Sequence, residues 1–182
     1  MLSNENTWLA AAWNLGLILA WDLIVFCCCR ALNDNHFDYN KYIYREKYWE
    51  NNGKWYNKWI KIKSWKNFLP QYISKNGFSK KSLTSLSLTY IDRFILETCR
   101  AEWAHKNCMW VAVLIVLINK IFMGITFCTV VLLINLPYVC IQRYNRIRLI
   151  NLREKIVKSR RSEFENENVM DFVKKIELAN FR

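Results

Sequence analysis

Three apolar stretches set the plan of this chain. Trp8 to Cys29 is apolar except for Asn14 and Asp22. About 20 residues at ~1.5 Å rise each cross the ~30 Å hydrocarbon core of a bilayer, so roughly 8–29 reads as a first transmembrane helix. Met109 to Ile118 is apolar but too short to span alone. Extended back to about Ala101 it reaches spanning length. Asn119-Lys120 interrupts, and Ile121 to Ile141 is apolar again, with Asn135 and Pro137 inside it. The pattern predicts two more helices, roughly 101–118 and 121–141, joined by a tight polar turn. One bent or re-entrant element is the alternative. Pro137 predicts a kink near the end of the last helix. The fold class is therefore mainly α and integral to a membrane, as one domain over 1–182.

Between the first and second spans the pattern changes. Arg30 to Arg100 carries 14 Lys or Arg. Within it, Trp49, Trp55, Tyr56, Trp59, Trp65 and Phe68 interleave with Lys54, Lys58, Lys61, Lys63 and Lys66. Indole rings prefer the headgroup level, and lysines add attraction to anionic lipid, so the block 30–90 is expected to lie on the membrane surface. It reads as helical through Trp59, although Ile60-Lys61-Ile62-Lys63 alternates with period two. Pro70 ends whatever precedes it, Asn76-Gly77 is a turn signal, and Ser79 to Thr89 is polar. A central helix begins at Tyr90, so 91–141 reads as a helical hairpin. In the tail 142–182, Val169, Phe172, Val173 and Ile176 recur at helical spacing. They predict a separate amphipathic helix after a polar joint at Glu163 to Asn168.

Charge orients this plan. The 182 residues carry a formal net charge of +12, with no Lys or Arg before Arg30. With three spans, both basic segments fall on one side. The bare N-terminus and the Asn119-Lys120 turn fall on the other. The positive-inside rule puts the basic side in the cytoplasm of a multi-pass cell-membrane protein. Basic and aromatic residues together also suit nucleic acid, but a segment tethered between spans favours an anionic membrane surface. The missing positive n-region argues against reading the first span as a signal peptide. The seven cysteines show no CxxC spacing and read as small apolar fillers, with no disulfide, metal site or cofactor implied.

The densest chemistry lies in Ile91 to His105. Helical spacing puts Thr98, Glu102 and His105 on one face and Glu97 near Arg100 on a neighbouring one. Walker loops, GxGxxG, GxSxG and HExxH are absent. Of the two histidines, His105 is the well-placed base. An imidazole oriented by Glu102 would deprotonate a hydroxyl for attack on an acyl carbonyl. Arg100 would sit near the developing oxyanion or a phosphate. A plain interfacial histidine bonded to Glu102 is the competing reading. Asp22 is expected to pair with another helix or to add to the site. Arg143, Arg146 and Arg148 beside Tyr144 suggest phosphate or headgroup binding, or a plain positive-inside anchor.

Three stretches together carry a resemblance. Asn52-Gly53-Lys54-Trp55-Tyr56-Asn57-Lys58-Trp59, with Trp65-Lys66 following, is similar to a Gly-Lys-aromatic-x-Asn-Lys-Trp … Lys-Trp-Lys segment of the glycosyl-4,4'-diaponeurosporenoate acyltransferase family. Glu97-Thr98-x-Arg100-Ala101-Glu102-x-x-His105 resembles that family's central Glu-Thr-x-Arg-Ala-Glu-Leu-x-His-Trp block. Asn135-x-Pro137, then Gln142-Arg143-Tyr144-Asn145-Arg146-x-Arg148-Leu149, is similar to its closing motif. Trp103 stands for the usual Leu, Lys106 for the Trp after the histidine, and Ile147 for a Pro.

The resemblance implies a membrane acyltransferase that completes staphyloxanthin. It would esterify a sugar hydroxyl of a glycosylated carotenoid or related glycolipid with a fatty acyl group. It makes His105, Glu102, Arg100 and Glu97 the catalytic candidates, and Arg143, Asn145 and Arg146 a substrate-binding cluster, with Trp55 and Trp59 beside them. The implied partners are membrane lipid, a fatty acyl donor and a glycosylated lipid or carotenoid acceptor. A non-enzymatic membrane adaptor, holding anionic lipid or a partner through the Trp/Lys-rich segment, is the rival reading.

Overall fold

A computed structural model describes residues 7–69 and 87–180, with side chains as far as residue 165. Every regular element among the described residues is helical: α1 (Thr7–Ala31), α2 (Lys54–Trp59), α3 (Ile62–Trp65), α4 (Leu88–Cys108), α5 (Trp110–Ile118) and α6 (Ile121–Asn180). Two single 3-10 turns, Asp34–Phe37 and Tyr48–Glu50, lie between α1 and α2. Three helical stretches are long and apolar enough to cross a membrane: α1, α4 continued by α5, and the first part of α6. Their outer faces expose Leu19, Leu23, Leu117, Phe122 and Leu133. Asn14, Asn135 and Glu102 are buried inside instead. That inversion of the usual soluble pattern suits a hydrocarbon surround.

The polar interruption at Asn119-Lys120 makes a hairpin. Gly124 comes so close to α5 that an added Cβ would stand 3.1 Å from Val116 Cα. Val131 then packs on Val111, Ala112 and Ile115. Farther from the turn, Asn135 meets His105, Arg143 meets Glu102, and Arg153 meets Asp92. Partners recede from the turn on both sides, so α6 runs antiparallel to α5 and α4. The first helix is antiparallel to α4 and α5 in the same way. Asn14 and Asn119 exchange amide hydrogen bonds of 2.9 and 2.8 Å. Trp21 Nε1 donates to Asn107 O at 2.9 Å, and Cys108 shares a hydrogen bond with Asp22. Asp22 thus takes the expected bland role, pairing with another helix.

Two elements differ from the sequence expectation. The polar stretch Glu163–Asn168 does not break the chain: α6 is one 60-residue helix. Its three glutamates favour a helix, its two asparagines oppose one only weakly, and no Gly or Pro stops it. Pro137 lies inside α6, where the sequence placed it, at the cost of one backbone hydrogen bond. The period-two run Ile60–Lys63 is not extended. Lys61 takes a left-handed backbone, φ 47°, and links α2 to α3. This turns Ile62 wholly into a core with Tyr56, Ile141, Tyr144 and Ile147. Pro70, Asn76-Gly77 and residues 79–86 lie outside the described residues. So do the side chains of Val169, Phe172, Val173 and Ile176.

Candidate active site

Two neighbouring arrangements occupy the level where α4 and α6 cross from apolar to basic sequence. The first is a buried ionic clamp. Glu102 on α4 and Glu50 in the second 3-10 turn are both 0% exposed. Arg143 on α6 joins them. Its Nη1 donates to Glu102 Oε1 at 2.9 Å, and its Nε and Nη2 donate to Glu50 at 2.8 and 2.7 Å. It also donates to the carbonyls of Ile43 and Arg45 at 3.3 and 3.0 Å. Arg146, one turn on, donates to Glu102 Oε2 and to Tyr44 O. Lys106, one turn beyond Glu102 on α4, completes the group. Buried charges are tolerated only when paired and hydrogen-bonded on most sides, and here they are.

Glu50 titrates accordingly. Burial alone would raise its pKa, but hydrogen bonds from Arg143, Tyr56 and the Lys47 amide hold it below its ordinary value of 4.5. Burial, then the hydrogen bond to Glu50, keeps the Tyr56 phenol protonated well beyond its usual range. The chain reaches this geometry through a left-handed turn at Asn51, Asn52 and Gly53. Gly53 has φ 77°, and a Cβ there would stand 3.3 Å from the Tyr144 ring. Glycine meets both demands.

The second arrangement is His105. Its Nδ1 lies 2.9 Å from Asn135 Oδ1, and its ring stacks on Tyr138 with centroids 4.6 Å apart and planes 5° from parallel. Asn135 Nδ2 donates to Val131 O at 3.0 Å, which turns its carbonyl oxygen toward the histidine. The imidazole must then donate from Nδ1, so Nε2 carries the lone pair.

The sequence-derived candidates therefore separate. His105 and Glu102 share a face of α4, but the Glu102 carboxylate is engaged by Arg143, Arg146 and Lys106, while Asn135 orients the imidazole. Arg100 lies about 140° around α4 from His105. It pairs with Glu97 at 3.0 Å and with Asp34, and Arg93 joins Glu97 at 2.9 Å. Arg143 and Arg146 are neutralised inside the clamp. Asn145 instead accepts a hydrogen bond from Lys66 Nζ at 3.1 Å. Trp55 is half-buried against Trp49 and Tyr56, whereas Trp59 is 66% exposed. Among the described residues no group of His, Cys, Asp and Glu is arranged to hold a metal ion.

Sequence reasoning missed Glu50, Tyr138 and the role of Asn135. The hairpin register held the signal for Asn135. Counting out from Asn119-Lys120 along both helices brings His105, 14 residues before it, within one position of Asn135, the one amide inside the last apolar run.

The sequence profile of glycosyl-4,4'-diaponeurosporenoate acyltransferases matches residues 40–155, which contain both arrangements. Glycosyl-4,4'-diaponeurosporenoate acyltransferases of Staphylococcus aureus strains MRSA252 and COL are each 29% identical to this chain over 124 residues. The match covers 65% of this chain and 73% of theirs. No solved structure matches it. By the extent of the profile match, the chain belongs to the glycosyl-4,4'-diaponeurosporenoate acyltransferase family.

Proposed function

We propose that this chain transfers a fatty acyl group to a sugar hydroxyl of a glycosylated carotenoid or related glycolipid, with His105 as general base. The observation that carries the reading is the His105–Asn135 contact of 2.9 Å beside the Tyr138 stack. An amide that fixes the Nδ1–H tautomer plays the orienting part found in Cys-His-Asn hydrolytic sites, and here it serves a hydroxyl nucleophile. His105 Nε2 takes the hydroxyl proton as the sugar oxygen bonds to the acyl carbonyl carbon. The carbonyl π electrons move onto oxygen. When they return, the bond to the donor's leaving group breaks, and the imidazolium returns the proton to that group.

The clamp supports this chemistry indirectly. Glu102 stands one turn from His105, and Arg143 stands two turns from Asn135. Locking Glu102 to Arg143 sets the helix register that brings base and amide together. Glu102, Arg143 and Arg146 thus act as positioning residues. The acceptor class comes from the names of the relatives, and the family match supports it. The positive-inside rule supports a cytoplasmic clamp and an N-terminus outside. Exposed Trp59, with Lys58 Nζ 5.3 Å from its ring, suits the headgroup level.

The test is lipid and pigment mass spectrometry on hosts that make glycosyl-diaponeurosporenoate. Wild-type protein should add a species heavier by one acyl residue, and His105→Ala should not. A His105→Ala protein that still acylates overturns the mechanism. Wild-type cells with no acylated product favour the adaptor reading, in which any phenotype follows Lys54 to Lys66 and not His105.

A further inference from the structure

Each cation of the clamp pairs with a carboxylate, but among the described residues the cations of a second group do not. Lys66 Nζ lies 5.3 Å from the Tyr144 ring centroid, and Arg148 Cζ lies 5.6 Å from the same centroid. Lys66 also donates to Asn145 Oδ1 at 3.1 Å. Lys63 stands close enough to act on the same ammonium. Burial, then the charges of Arg148 and Lys63, lower the proton affinity of Lys66. Among the described residues no carboxylate pairs with Lys63, Lys66 or Arg148. Two like charges on one ring, with Lys63 near one of them, repel one another unless an anion joins them.

Their position on α6 adds to this. Tyr138 and Asn145 are seven residues apart, two turns, so they share a face about 10 Å apart along the helix. Gln142 lies between them on that face. It is buried, and its Oε1 has no hydrogen-bond partner among the described residues. A buried acceptor without a donor is costly, and a ligand hydroxyl or amide would satisfy it. One face of α6 thus carries, in order, the ring that stacks on His105, an unsatisfied acceptor and the edge of a cation cluster.

We propose that Lys66 and Arg148, which meet at Tyr144 beside Asn145, bind with the neighbouring Lys63 the phosphate of a ligand lying along the Tyr138–Gln142–Asn145 face. Two sources carry that chemistry: the phosphates of a coenzyme-A-type thioester, and the headgroup of an anionic phospholipid. The site does not depend on which residue is the general base, and binding is measured without turnover.

The full chain is purified in phosphatidylcholine nanodiscs. Coenzyme A and dihexanoyl phosphatidylglycerol are titrated separately, and native mass spectrometry counts the bound molecules. Saturable binding of at least one probe is expected, weakening as salt rises. Arg148→Gln, at an exposed position, should weaken it about tenfold, the effect of losing one charge-assisted contact. Lys63→Gln/Lys66→Gln/Arg148→Gln should abolish it. Lys155→Gln/Lys158→Gln/Arg160→Gln, which removes equal charge from an exposed part of α6, should leave it intact. Loss confined to coenzyme A identifies a thioester donor, and loss confined to the lipid identifies a headgroup. Absence of saturable binding for both probes, or equal losses in the two triple variants, overturns the proposal.

Discussion

Asn135 spends its amide N–H on Val131 O, and this small bond decides which nitrogen of His105 is basic. Asn135→Leu keeps the volume but removes the acceptor for Nδ1–H. It should lower kcat about 100-fold, within the range for a mis-set general base, and change KM little. Asn135→Asp retains an acceptor and should keep most of the activity. Unchanged kcat in Asn135→Leu would exclude the amide from the mechanism. A second residue-scale prediction concerns Gly53. A Cβ there adds both positive-φ strain and a 3.3 Å approach to Tyr144. Gly53→Ala should cost about 1–3 kcal/mol and lower the thermal midpoint in detergent. An unchanged midpoint would mean that the turn can move off Tyr144. At this scale the histidine was legible in the sequence because an imidazole at the edge of an apolar run stands out. Its partner was not, because Glu102 three residues away offers the same geometry. The presence of Arg143, Arg146 and Lys106 diverts that carboxylate.

At the scale of elements, α2, α3 and the turn before them cover α6 because Glu50 accepts hydrogen bonds from both Tyr56 and Arg143. Glu50 has a folded-state pKa below its ordinary 4.5, so the unfolded chain binds more protons across that interval. Its contribution to stability is therefore complete above about pH 4.5 and is lost as pH falls through the folded value. The thermal midpoint should be level above pH 5 and fall below it, and Glu50→Gln should flatten that fall. A fall of equal depth in Glu50→Gln would place the acid sensitivity elsewhere. Arg143→Met, which leaves two carboxylates buried, should cost about 3–5 kcal/mol. Adding Glu50→Gln should restore part of that loss, a coupling that a double-mutant cycle reads directly. The helices themselves were largely visible in the sequence. Apolar runs of spanning length and an Asn-Lys interruption are strong local signals. The covering segment was not, because its mixed Trp/Lys pattern suits a membrane surface as well as a protein core. Trp59 is exposed and Tyr56 is buried. Glu50, one charge in a basic block, carried no local sign that it would be buried.

At the scale of the molecule, the charge pattern and the packing agree on one arrangement. The reciprocal Asn14–Asn119 amide pair brings the start of α1 to the α5–α6 turn. The end of α1, the clamp and the basic part of α6 gather at the other end. An amide pair inside hydrocarbon has few other partners, so it disfavours any topology that separates these two ends. In the proposed orientation the clamp end lies in the cytoplasm, where a soluble acyl donor would meet His105. The test replaces the seven native cysteines with Ser or Ala and introduces Lys120→Cys or Lys158→Cys singly. Intact cells are treated with a membrane-impermeant maleimide. Lys120→Cys should be labelled from outside, and Lys158→Cys only after lysis. Labelling of both positions from outside would mean an even number of crossings between them, and the hairpin would then be re-entrant instead of spanning. The reverse pattern would place the base and its cation-lined helix face outside the cell, and only a lipid-borne acyl donor would remain compatible with the reaction.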